Sequence, residues 1–276
     1  MPDSASKFCV VGDPIQHSRS PEIHALFAKQ TGIELQYSRQ RVKAGRLSEF
    51  VAEFRDSGGL GLNVTVPLKV EAFDLCQPTN FAADRAQAVN TIQLAGDEVA
   101  GFNTDGIGLA RDLEDNLGLQ LSGAKVLMLG AGGATRGVLP ELLQRDCSQI
   151  AICNRTPARA ERLLQQFNES RFALELWGEV RAFDYDLVIN ATSSSLAGDR
   201  PPLPAELVSQ GAFFYDMMYA PEPTPLLQWV SEHGGHRQAD GLGMLVEQAA
   251  ESFRIWHGIK PRSVPVIREI RRVMQS

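Results

Sequence analysis

The stretch "AKVLMLGAGGATRG", residues 124–137, decides how this chain is read. Val126, Leu127, Met128 and Leu129 are apolar without interruption, as a strand buried on both faces requires. They run into Gly130, Gly132 and Gly133, and the helical pattern "ATRGVLPELLQRD" follows. Glycines allow a tight turn and close backbone approach, and a helix N-terminus just beyond attracts a phosphate. The match to G-x-G-x-x-G is imperfect, because Thr135 holds the sixth position and the next glycine is Gly137. In isolation the same glycines read as an ordinary turn. Their place between strand and helix predicts a dinucleotide site.

The next strand, "QIAICNRT", sharpens that expectation. An NAD-binding fold places Asp or Glu about 20 residues on, to accept from the ribose 2′-hydroxyl. Here the strand runs into "NRTPAR", with Asn154, Arg155, Thr156 and Arg159 and no acid. Two guanidinium groups four residues apart, with a hydroxyl, suit a 2′-phosphate and therefore NADP. The plainer alternative is a solvated helix start carrying two surface arginines.

Further strands follow at α/β spacing, "YDLVINATS" and "GAFFYDMMY", with "RPPLP" (200–204) as a loop. The first hundred residues repeat the alternation: "KFCVVGDP", "LQYSRQRV" and "LGLNVTVPL" read as strands, "SPEIHALFAKQTG" and "GRLSEFVAEFRDSG" as helices. Ser20 is a candidate N-cap of the first helix and Gly32 ends it. "GIGLARDLEDNLG" and "GMLVEQAAESFRIWHG" are helical patterns, and "SVPVIREIRRVMQ" becomes another after Pro265. Strand–helix alternation of this kind predicts two α/β domains with mainly parallel sheets, and a cleft between domains commonly holds a small molecule.

The 276 residues are 43% hydrophobic and 22% charged, the proportions of a globular protein. A net charge of −6 argues against nucleic acid or an anionic membrane as partner. No apolar run approaches the roughly 20 residues of a membrane span, and "MPDSASKF" carries no signal-peptide core. Cys9, Cys76, Cys147 and Cys153 show no C-x-x-C spacing and read as reduced, buried thiols of a cytoplasmic protein. The five histidines form no ligand-like cluster, so no metal is expected.

One strand carries an unusual pattern. In "GLNVTVPLK", residues 61–69, Asn63 and Thr65 share one face while Leu62, Val64 and Val66 share the other, and Pro67 ends the ladder two residues before Lys69. "HSRSP" places Ser18 and Ser20 before a helix, "AVNT" contains Asn90 and "FNTDG" contains Asp105. Singly these read as a cap, a turn Asn and an Asx turn.

In series, "GDPIQHSRSP", "GLNVTVPLK", "AVNT", "NTDG", "LGAGGATRG", "NRTPAR", "NATS", "YDMMY" and "DGLGMLVEQA" resemble the shikimate dehydrogenase family over nearly the whole chain. The resemblance implies NADPH-dependent reduction of 3-dehydroshikimate to shikimate, on the route to chorismate and the aromatic amino acids. It implies that Ser18 and Ser20 hold the substrate carboxylate. Asn63, Thr65, Lys69, Asn90 and Asp105 would surround the ring hydroxyls and the reacting carbon, and Tyr219 and Gln248 would supply the remaining contacts. Lys69 and Asp105 would be catalytic, the lysine exchanging the proton and the aspartate holding it. Gly130, Ala131, Gly132, Gly133, Ala134, Asn154, Arg155, Thr156, Arg159, Thr192, Met217 and Gly241 would contact the cofactor.

It further implies a substrate domain of residues 1–104 and 241–276, its C-terminal helices returning to it, and a Rossmann-like NADP domain of residues 105–240. A monomer or homodimer is expected. By this reading Asn63 and Thr65 face the substrate, while Val64 and Val66 seal the sheet to its helices. Gln16 and Gln87 depart from the family, which carries glycine before "HS" in many members and "GAVN" where "QAVN" stands here. Two rivals remain: a paralogue acting also on quinate, perhaps with NAD, and a non-catalytic NADP-binding sensor, against which Lys69 and Asp105 argue.

Overall fold

The computed structural model describes residues 6–181, 185–194 and 198–276. The chain divides into two compact units: residues up to Gly108 with Leu245–Ile270, and Leu109–Met244 with Arg271–Ser276.

The first unit contains a five-stranded sheet in the order β2-β1-β3-β4-β5. Its strands are β1 (Ser6–Gly12), β2 (Leu35–Arg41), β3 (Gly59–Val64), β4 (Thr91–Ala95) and β5 (Glu98–Phe102). β1 pairs in parallel with β2 and β3, as the βαβ pattern with α1 (Ser20–Thr31) and α2 (Leu47–Asp56) requires. β4 and β5 instead form an antiparallel hairpin against β3. Only Gly96 and Asp97 separate them, and Gly96 has φ +60, the conformation a two-residue hairpin loop demands at its first position. Cys9, Val11, Leu62, Val64, Leu68 and Ala72 belong to the core of this unit.

Two local expectations change. β3 ends at Val64, and Val66 is 68% exposed, so it seals nothing. Beyond Val64 the chain has left the ladder, where period-two alternation no longer assigns a side chain to a sheet face. Ser20 is also not an N-cap: it is the first residue of α1, preceded by Arg19, and no side chain caps that position. Gly32 does end the helix, at φ +72.

The second unit holds six parallel strands in the order β11-β10-β9-β6-β7-β8. They are β6 (Lys125–Leu129), β7 (Gln149–Asn154), β8 (Phe172–Leu176), β9 (Leu187–Asn190), β10 (Phe213–Asp216) and β11 (Gln238–Asp240). Counting from β6, this is the 3-2-1-4-5-6 order of a dinucleotide-binding sheet. Side chains alternate between two cores: Val126 and Met128 join one, Leu127 and Leu129 the other. α10 (Leu242–His257) ends at Gly258 with φ +72. α11 (Ser263–Met274) begins before Pro265 rather than after it, since a first-turn proline lacks only a donor that the helix would not use.

Candidate active site

In the second unit the glycine turn joins β6 to α6 (Gly133–Gln144). Gly130 has φ +105, and a Cβ there would lie 3.2 Å from the Ala191 backbone, so both conformation and space call for glycine. Thr135, the departure from the glycine pattern, is buried and donates its hydroxyl to the Gly130 carbonyl at 2.8 Å, which ties the turn shut. Nothing lies within 4 Å of a Cβ at Gly132 or Gly133. That open space borders the unpaired first-turn N–H groups of a twelve-residue helix, where a phosphate is stabilised by aligned donors.

Asn154 at the end of β7 accepts from the Ala131 N–H at 3.1 Å and donates to the Thr156 carbonyl at 2.8 Å. It braces the turn and presents no carboxylate. Arg155 and Arg159 are exposed and form no ion pair among the described residues, which leaves both guanidinium groups available to an anion. Thr192 donates to Asn190 at 2.7 Å, and Met217 is hydrogen-bonded through its N–H to the Asn190 carbonyl. A Cβ at Gly241 would stand 2.2 Å from the Met217 carbonyl oxygen, so only glycine fits there. Tyr219 is half-buried in this unit. These residues fit a 2′-phosphorylated dinucleotide.

In the first unit a buried polar cluster is built around Asp105, the first residue of α5 (Asp105–Arg111). Lys69, the first residue of α3 (Lys69–Leu75), donates to Asp105 Oδ2 at 2.5 Å; the two side chains are 22% and 9% exposed. The other carboxylate oxygen, Oδ1, accepts from Asn90 Nδ2 at 2.8 Å. The Asn90 orientation is unambiguous, because its Oδ1 accepts from the Thr104 backbone N–H at 2.9 Å, a group that can only donate. Gln248 of α10 approaches the same amide at 3.4 Å, and Gly108 admits it: a Cβ there would meet the Gln248 backbone nitrogen at 2.8 Å.

Asn63 is buried beside this cluster. It donates to Ser252 at 2.9 Å and to Thr91 at 3.2 Å, and accepts from the Tyr37 phenol at 2.6 Å. Thr65 is half-buried, packs on Gly12, and its hydroxyl has no partner among the described residues. Ser18 donates to Ser20 at 3.1 Å. Gln16 and Gln87 are exposed, and Gln87 has φ +49, a conformation glycine adopts at lower cost. Thr91, Thr104, Asn103 and Ser252, which lock these side chains, were not expected. The quoted motifs contain the first three, but nothing in a single sequence says which way a threonine hydroxyl points.

A dinucleotide turn in one unit and a lysine–carboxylate pair with hydroxyl and amide groups in the other define an α/β dehydrogenase of small polar molecules. Comparison with known proteins narrows the class. Residues 10–92 match the shikimate dehydrogenase substrate binding domain, 111–200 the shikimate / quinate 5-dehydrogenase domain and 241–270 the shikimate 5′-dehydrogenase C-terminal domain. The chain is 46% identical over 99% of its length to a shikimate dehydrogenase (NADP+) of Cupriavidus necator, covering 96% of that protein. It is 50% identical over 95% of its length to one from Methylococcus capsulatus, covering 94% of it. A solved shikimate 5-dehydrogenase of Thermus thermophilus, in complex with NADP(H) and shikimate, superposes with a TM-score of 0.87 at 33% identity, over 97% of this chain and 99% of that one. The chain belongs to the shikimate dehydrogenase family.

Proposed function

We propose that this chain is an NADP-dependent shikimate dehydrogenase, reversibly reducing 3-dehydroshikimate to shikimate for chorismate and aromatic amino acid biosynthesis. The observation that carries the reading is the Lys69–Asp105 pair at 2.5 Å, with Asn90 holding the second carboxylate oxygen. A binding module has no use for an oriented, partly buried ammonium group, whereas carbonyl reduction needs a proton at one fixed oxygen.

The first unit is the substrate domain. Ser18 and Ser20 offer hydroxyls to the carboxylate, and Thr65 offers its free hydroxyl. Asn63, Asn90, Asp105 and Gln248 meet the ring hydroxyls. The second unit is the NADP domain: the turn from Gly130 to Ala134 takes the pyrophosphate, and Asn154, Arg155, Thr156 and Arg159 take the adenosine 2′-phosphate. Thr192, Met217 and Gly241 line the remainder. When bound, NADPH supplies the hydride. Lys69 stabilises the negative charge growing on the substrate oxygen and donates its proton there, and Asp105 keeps the ammonium aimed. In the oxidation direction neutral Lys69 accepts that proton.

Four free, buried cysteines support a reducing, cytoplasmic location, and no helix among the described residues is long and apolar enough to cross a membrane. The test is formation of NADPH from shikimate and NADP, with quinate and NAD run in parallel. Activity with NADP and shikimate is expected, and no turnover of shikimate with either cofactor would refute the reading.

A further inference from the structure

Tyr37 takes no part in the chemistry above, yet it is tied to the buried polar cluster of the first unit. Its phenol donates to Asn63 Oδ1 at 2.6 Å. Burial, the dominant effect, and the nearby Cys9 push the phenol pKa well above 10, so the O–H keeps its proton. His24 stacks on the tyrosine ring at 4.2 Å and 9° and fixes its plane.

A phenol has one proton to give, and here it goes to Asn63 Oδ1. Asn63 Oδ1 is then an acceptor, so Nδ2 must point to Ser252 and Thr91, at 2.9 and 3.2 Å. Thr91 donates to Asn90 Oδ1 at 3.1 Å, and Asn90 donates to Asp105, which receives Lys69. Tyr37, Asn63, Thr91 and Asn90 donate in that order toward the Asp105 carboxylate. Aligned hydrogen bonds polarise one another, and each buried amide held by two partners loses the freedom to flip.

We propose that Tyr37 is a positioning residue, acting through Asn63, Thr91 and Asn90 on the Lys69–Asp105 pair. The proposal rests on the functional reading given above. Tyr37→Phe keeps the ring and its stack on His24 while removing the donor, so folding is spared and Asn63 Oδ1 is left without its phenol.

The experiment compares wild type, Tyr37→Phe, Thr91→Val and the double variant as purified full chains, with initial rates for shikimate and NADP normalised to folded protein by circular dichroism. An unsatisfied buried acceptor in the series is expected to lower kcat/KM for shikimate about five- to fiftyfold. KM for NADP stays at the wild-type value, which a general loosening of the fold would not spare. Because both substitutions break one series, the double variant is expected to lose no more than the worse single one. A Tyr37→Phe enzyme within about twofold of wild type overturns the proposal, as do losses that multiply in the double variant. Inactive wild type would instead defeat the functional reading, and the proposal with it.

Discussion

Replacing Lys69 with alanine separates the ion pair's two roles. The ammonium is the proton donor nearest Asp105, and removing a positioned acid or base costs about 10²–10⁴ in rate, or roughly 3–5 kcal/mol in the transition state. On the proposed function, ground-state binding would rest on Ser18, Ser20, Thr65 and Asn90, so KM for shikimate should change far less than kcat. Stability falls as well. Asp105, 9% exposed, keeps the Asn90 donor at 2.8 Å but loses its only charged partner among the described residues. A fully buried broken pair costs about 3–5 kcal/mol. Water reaches the vacated Lys69 position, which is 22% exposed, and lowers the expectation to about 1–3 kcal/mol. Lys69→Arg divides the effects: a guanidinium restores the charge and the stability, but does not release a proton at any working pH. Initial rates of shikimate oxidation and urea unfolding of the three proteins measure both quantities. A Lys69→Arg enzyme with near-normal kcat would refute proton transfer by Lys69 and leave it a purely electrostatic role.

Arg155→Ala should weaken NADP by roughly ten- to a hundredfold while leaving NAD nearly unchanged, from the loss of about 1.5–3 kcal/mol of charge-assisted bonding. Equal kcat/KM losses for both cofactors would return Arg155 to the status of a surface arginine. Gly241→Ala puts a Cβ 2.2 Å from the Met217 carbonyl, so β10 or α10 must shift. Unfolding at about 1–3 kcal/mol lower free energy is expected, with KM for NADP rising. Acid should destabilise the first unit through His24, whose pKa is lowered from 6.5 to about 3, chiefly by burial, with a smaller repulsion from His257. Below pH 6.5 the unfolded chain takes up a proton that the folded one refuses, so this contribution is present above 6.5 and is lost toward pH 3, at up to about 1.4 kcal/mol per pH unit. Urea midpoints at about pH 7 and about pH 5 should differ less in His24→Phe than in wild type.

Features governed by local chemistry were legible. β6 announces itself because a doubly covered strand must be apolar at every position, and Gly130 because only glycine combines φ +105 with 3.2 Å of clearance. Lys69 and Asp105 were legible through the motifs that contain them. The β4–β5 hairpin was not, although "TIQLAGDEVAGF" alternates around Gly96-Asp97; the βαβ rhythm on either side pulled the reading toward parallel strands. Val66 was misplaced because alternation continues in the sequence after the strand has ended in space. β8 and β11 escaped notice because a five-residue and a three-residue strand carry little periodicity.

The polar interior of the first unit follows from one physical constraint. A buried amide without partners costs several kcal/mol, so an apolar residue at position 63 or 90 would be the simpler way to fill a core. Both positions carry asparagine, and both amides are paired at each end. The return is direction rather than stability. A hydroxyl or a water can rotate to meet any neighbour, whereas an amide pinned by a backbone N–H, as Asn90 is by Thr104, offers its donor on one side only. Asp105 therefore meets Asn90 with one oxygen and Lys69 with the other, and the ammonium is held at a fixed point before substrate arrives. Preorganisation of this kind removes the reorganisation that solvent would impose at the moment of proton transfer. It also explains why the network continues past the residues proposed to meet substrate: an asparagine is only as well oriented as the group that holds its far end.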